Sequence, residues 1–138
     1  MSKKYYLDTS IWLDFFENRN EPNLPKGDFA KMLIDKAIKE DSKIIYSDAV
    51  KDEIIKLGYN EQEIDKLMEA LKVSLIFVEF NKKQFGKAKD LSARRGIPLL
   101  DALHALIARD NQCIMVTRDA HFNKILDIIK HKKPEDII

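Results

Sequence analysis

Four acids stand where an α/β chain places its chemistry. Asp8, in Leu7-Asp8-Thr9-Ser10, ends a short apolar run and precedes a helical pattern of Ile11, Trp12, Phe15 and Phe16. Asp119 follows a second apolar run in Val116-Thr117-Arg118-Asp119. Glu53 and Asp101 fall inside helical patterns, each leaning toward an apolar side. Carboxylates gathered at one point repel and raise one another's pKa, and a hard divalent cation removes that conflict. Mg²⁺ takes oxygen ligands in octahedral geometry and keeps waters that substrate phosphates replace. All-oxygen ligation points to Mg²⁺ or Mn²⁺ rather than zinc. The chemistry that follows is in-line phosphodiester hydrolysis, with the ion acidifying the attacking water and neutralising the leaving oxygen. Thr9, Ser10 and Thr117 stand beside these acids and suit orientation of the ion's waters.

Each acid also has a plainer role. Asp8 or Thr9 would cap the helix that follows, and Asp119 would cap a helix carrying Phe122 and Leu126. Glu53 flanks the stripe Val50, Ile54, Leu57, with Lys56 near enough for a surface pair. Asp101 is the most informative. At about 100° per residue, Leu99, Leu103, Leu106 and Ile107 form one apolar face of its helix. Asp101, Ala105 and Ala108 form the other, with His104 at its edge. That second face is too small and apolar to be a solvated one, so the helix is expected to be covered on both sides. A carboxylate there needs a partner, because burying it unpaired is costly. The plainer reading is a first-turn acid complementing the helix dipole after Pro98 at the first helical position.

The elements that must position these acids are readable. Strands are expected over Lys4–Leu7, Lys43–Tyr46, Ser74–Phe80 and Cys113–Thr117; they lack strict alternation, which suits strands covered on both faces. Between them lie helical patterns: Phe29, Leu33, Ala37; a capped start at Asn60 with Ile64, Leu67, Met68, Leu71; and a last long one marked by Phe122, Ile125, Leu126, Ile129. Asn18 to Gly27, with Pro22 and Pro25, reads as a loop. Strands alternating with helices predict a three-layer α/β/α sandwich around a mainly parallel sheet of four to five strands. Ligands then sit outside the carboxyl ends of the strands.

With 138 residues and no linker or repeat, residues 1–138 are expected to form a single domain. Hydrophobic residues at 45% and charged residues at 34% exclude wholesale disorder. A net charge of +1 announces no nucleic-acid binder, so such a role must rest on local patches. One cysteine, Cys113, excludes a disulfide framework and a multi-cysteine zinc site. No apolar run reaches the ~18 residues of a membrane span, and a cytoplasmic location is expected.

Taken in order, Leu7-Asp8-Thr9-Ser10, Glu53 after the second strand, Pro98-Leu99-Leu100-Asp101-Ala102 and Val116-Thr117-Arg118-Asp119-Ala120-His121-Phe122 resemble a PIN domain. The similarity covers essentially the whole chain, and its small single-domain form looks like a VapC-type toxin ribonuclease. The resemblance implies a Mg²⁺- or Mn²⁺-dependent endoribonuclease whose acidic quartet is Asp8, Glu53, Asp101 and Asp119, with Ser10 and Thr117 on the polar positions beside them. It also implies a homodimer and inhibition by a cognate antitoxin. The segment Ile128–Ile138 lacks the clear apolar run of the family's last strand.

Other signals carry less. His104 reads as a packed helix residue and Cys113 as a small buried hydrophobe. Gly58, Gly86 and Gly96 form no phosphate-cradling motif. Arg118 and Arg95 are the candidates for contact with nucleic-acid phosphates. The same acids would also serve a DNA-directed or RNA-processing nuclease, and a PIN-like module that binds RNA or protein without cleaving it is the alternative outside catalysis.

Overall fold

The computed structural model describes residues 3–138. Chain order is β1 (Lys4–Leu7), α1 (Thr9–Glu17), α2 (Lys26–Lys39), β2 (Lys43–Ser47), α3 (Asp48–Lys56), α4 (Glu61–Glu69), β3 (Leu75–Val78), α5 (Lys82–Arg95), α6 (Leu99–Asp110), β4 (Ile114–Val116) and β5 (His131–Lys132). Short 3₁₀ helices occupy Ala120–Ile125 and Pro134–Asp136. The five strands form one sheet in the order β3-β2-β1-β4-β5, and every pairing is parallel. The crossovers from β1 to β2 and from β2 to β3 step in the same direction, and the return to β4 reverses it. Right-handed connections therefore set α1, α2 and α4 on one face and α5–α6 on the other, with α3 at the carboxyl edge touching both α1 and α6, which is the expected three-layer sandwich.

Central strands explain the missing alternation. Tyr5, Tyr6 and Leu7 are consecutive in β1 and all fully buried, because helices cover both faces. β3, at the sheet edge, leaves Ile76 and Phe77 exposed and is shorter than the expected Ser74–Phe80. In α6, Ala102 through Ala108 are all buried, as the small-residue face required. Pro98 stands just outside α6 in extended conformation rather than at its first helical position. Leu57 lies beyond the end of α3 and is 61% exposed, so the buried residues there are Ala49, Val50 and Ile54.

The expected long helix through Ile129 is not formed. Asp119 caps a 3₁₀ segment that ends at Ile125, and Leu126 is exposed. The chain must turn there to lay β5 beside β4, where Met115 pairs with His131. β5 is a two-residue polar edge strand, which no apolar run could have announced. Among the described residues no helix is long and apolar enough to cross a membrane.

Candidate active site

β1 and β4 are neighbours, but the chain leaves β1 toward one side of the sheet and returns to β4 on the other. Parallel sheets bind ligands at the carboxyl end of such a reversal. Asp8 follows β1 there, and its N–H donates to the Val116 carbonyl at 2.9 Å, joining the two strand ends. Asp8 is 5% exposed. Its Oδ1 accepts the Thr9 N–H at 2.9 Å and its Oδ2 accepts the Thr117 hydroxyl at 2.7 Å. The Thr117 Oγ1 in turn accepts the Asp119 N–H at 3.0 Å. Asp119 caps the 3₁₀ turn through its Oδ1, which accepts the His121 N–H at 2.8 Å. Capping and site geometry thus belong to the same side chains.

Asp101 reaches this edge from the first turn of α6 and is half-buried. His121 Nδ1 lies 3.0 Å from Asp101 Oδ2 and 3.0 Å from Asp119 Oδ1. One ligand atom from each of these three residues falls within 4.8 Å of the other two. Glu53 enters from α3. Its Oε1 accepts the Thr9 hydroxyl and lies 3.0 Å from Nε2 of His104, which is fully buried. Thr9 therefore touches two acids, Asp8 through its N–H and Glu53 through its hydroxyl. Beyond Glu53 opens a groove of about 160 Å³ lined in part by Lys56, Phe80, Phe85 and Leu100.

The acids feel one another. Burial, then the charges of Asp8 and Asp119, push the Asp101 carboxyl up to about 6, with the His121 hydrogen bond opposing. Burial also raises Asp8, to which Glu53 adds, while hydrogen bonds from Thr117 and the Thr9 N–H pull the other way. Burial works against ionised Glu53 as well, yet hydrogen bonds from His104 and Thr9 hold it below the ordinary range. Among the described residues, no lysine or arginine pairs with Asp8, Asp101 or Asp119. Sequestered carboxylates with surplus charge and no fixed cation fit a hard divalent ion. The ligand atoms close enough to share an ion are those of Asp101, Asp119 and His121, with Asp8 joined to Asp119 through Thr117.

The structure thus brings the four sequence-identified acids, Thr9 and Thr117 to one place. Ser10 is exposed on the first turn of α1. Arg118 and Arg95 are engaged elsewhere: Arg118 pairs with Glu135 at 2.8 Å, and Arg95 makes a two-pronged pair with Asp127 at 2.8 Å on each side. Cys113 is only half-buried, immediately before β4; burial pushes its thiol up to about 12. Sequence reasoning missed His104 and His121 as members of the cluster. The signal was present: His104 follows Asp101 by three positions on the small-residue face, and His121 follows Asp119 by two.

Residues 5–127 match the PIN domain family. This chain is a PIN domain protein. Solved structures with the same PIN fold include VapBC-1 from nontypeable Haemophilus influenzae, at 19% identity and TM-score 0.66, with 96% of this chain and 98% of that chain covered. A toxin–antitoxin complex from Klebsiella pneumoniae matches at 17% identity and TM-score 0.63, covering 94% and 97%. VapBC2 from Rickettsia felis, bound to a DNA fragment from their promoter, matches at 17% and 0.63, covering 94% and 98%. A search of curated protein sequences finds no match. The PIN fold accounts for the acids: each of the four lies at or beside the carboxyl edge of the sheet.

Proposed function

We propose that this PIN domain is a Mg²⁺- or Mn²⁺-dependent endoribonuclease, the toxin of a toxin–antitoxin pair. The observation that carries the reading is that Asp101 and Asp119 converge with His121, that Asp8 joins them through Thr117, and that no lysine or arginine among the described residues pairs with these acids, with Glu53 held ionised nearby. Asp8, Asp101 and Asp119 would hold the ion, and Glu53 would act through a water. Bound there, the ion supplies acidification of the attacking water and neutralisation of the leaving oxygen. The chain's own groups do the rest. Thr117 and Thr9 fix the rotamers of Asp8 and Glu53. Glu53, held ionised, would accept a hydrogen bond from the attacking water and orient it. The groove beside Glu53, where Lys56 stands among Asp52 and Glu53, offers the aromatic faces of the Phe80–Phe85 pair to a single strand.

The toxin role is supported by the solved toxin–antitoxin structures that share the fold, and it brings an antitoxin partner and a homodimer as expectations. The test uses one single-stranded RNA and its DNA counterpart, because an acid cluster alone cannot read a 2′-hydroxyl. RNA cleavage that needs Mg²⁺ or Mn²⁺, stops with chelator and is absent in Asp101→Asn supports the reading. Chelator-resistant cleavage, or DNA cut as fast as RNA, overturns it.

A further inference from the structure

Behind Glu53 lies a chain of buried polar groups that the metal chemistry does not use. His104 is fully buried in α6. Its Nδ1 lies 2.7 Å from the Tyr6 hydroxyl, and that hydroxyl lies 2.7 Å from Ser47 Oγ. Ser47 Oγ also accepts the Val50 N–H at 3.2 Å, capping α3, the helix that carries Glu53. Tyr6 and Ser47 are both fully buried, in β1 and β2.

Counting protons sets the direction of this chain. If Tyr6 donated to Ser47, the Ser47 proton would need an acceptor, and none is found among the described residues. With Ser47 donating to Tyr6 and Tyr6 donating to His104 Nδ1, every proton has an acceptor. Neutral His104 then carries its own proton on Nε2, pointed at Glu53 Oε1. The opposite tautomer would set the Nε2 lone pair against a carboxylate. The Thr9 hydroxyl donates to the same oxygen. Both donors converge on Oε1, which leaves Oε2 for the site.

We infer that His104 is a positioning residue, locked by Ser47 and Tyr6 as an Nε2–H donor that fixes Glu53 with Oε2 turned to the reacting water. The functional consequence rests on the ribonuclease reading above; the tautomer does not. Partners that orient the groups around a metal typically contribute about 10–100-fold to activity.

The test has two arms. Long-range ¹H–¹⁵N spectra of histidine-labelled protein should show His104 protonated on Nε2 and bare on Nδ1. A proton on Nδ1, alone or with Nε2, overturns the lock. In the second arm, the Gln side-chain amide reaches the Nε2 position, whereas that of Asn reaches only Nδ1. His104→Gln should keep kcat on RNA within a few-fold, and His104→Asn should lose about 10–100-fold with KM unchanged, both variants melting at similar temperatures. Equal kcat in the two folded variants overturns the positioning role. If His104→Asn fails to fold, Tyr6→Phe replaces it: the Nδ1 resonance should shift to that of a nitrogen without a hydrogen bond while Glu53 keeps the proton on Nε2, and a lowered kcat supports the relay, whereas a kcat at the wild-type level refutes it. Wild type that shows the expected tautomer but cuts no RNA would discard the ribonuclease reading and leave the lock standing.

Discussion

Thr117, Arg118 and Asp119 are consecutive, yet they serve two acid clusters of opposite character. Arg118 turns away from the sheet edge into a pocket with Asp14 of α1 and Glu135 of the last 3₁₀ turn. It lies 2.8 Å from Glu135 and 3.9 Å from Asp14. There the guanidinium holds the Glu135 carboxyl below its ordinary range despite burial. Burial still raises Asp14, against the pull of Lys26 and Arg118. On the other side, Thr117 and Asp119 join Asp8 and Asp101, where mutual repulsion adds to burial and no arginine answers it. The first cluster carries its cation in the chain and ties the C-terminal turn to α1. The second leaves its charge for something outside the chain. Acid content does not separate them; the presence of an internal cation does.

That contrast can be broken at several points. The largest effect is expected from Asp101→Asn, which should lower RNA cleavage by more than about 100-fold, since a ligand matters at least as much as the groups that orient it. In the metal-free state at neutral pH the same variant should melt no lower than wild type, because it removes repulsion; a large drop in melting temperature would make Asp101 a structural acid. Next comes Arg118→Met. Removing the cation strands Glu135 and leaves Asp14 to Lys26 and Arg19, and about 3 kcal/mol of stability should be lost, at the low end for such pairs because Glu135 stays partly exposed. Urea unfolding measures it, and a loss near zero would dissolve the distinction between the clusters.

The pH dependence is smaller and has a definite sign. Folding raises the Asp101 carboxyl from 3.8 to about 6. Below about pH 4 both folded and unfolded chains hold this proton, and the site costs nothing. As pH rises through about 6, the folded protein surrenders a proton it holds more tightly than the unfolded chain does, so stability falls over that window. Metal-free wild type should therefore lose melting temperature relative to Asp101→Asn between about pH 4 and 6, and Mg²⁺ should restore it at neutral pH more than in acid. Parallel profiles for the two proteins would contradict the shift. The smallest effect is expected at Arg95. Its pair with Asp127 is on the surface, so Arg95→Gln should leave RNA cleavage within about two-fold; a ten-fold loss would give Arg95 a role in holding RNA.

The fold and the four acids were legible because both depend on local pattern. Apolar runs ended at Leu7 and Val116, and the next acid marked the carboxyl edge of each strand. The alanine face of α6 exposed Asp101 as an acid on a helix covered from both sides. What stayed hidden depends on distant partners. His104 looks like any core histidine until Tyr6 and Glu53 arrive, 98 and 51 residues away in sequence. Arg118 and Arg95 read as free cations because Glu135 and Asp127 lie 17 and 32 residues further on. The segment after Asp119 kept helical spacing at Phe122, Ile125 and Leu126, but the need to turn back into β5 overrode it.

The central claim is that the carboxylates at the β1–β4 edge hold a divalent ion. Calorimetric titration of Mn²⁺ into metal-free wild type and Asp101→Asn at neutral pH tests it most directly. Saturable binding to wild type, lost in a variant whose circular dichroism is unchanged, is the expected result. Binding that is absent from wild type, or equal in both proteins, would contradict it.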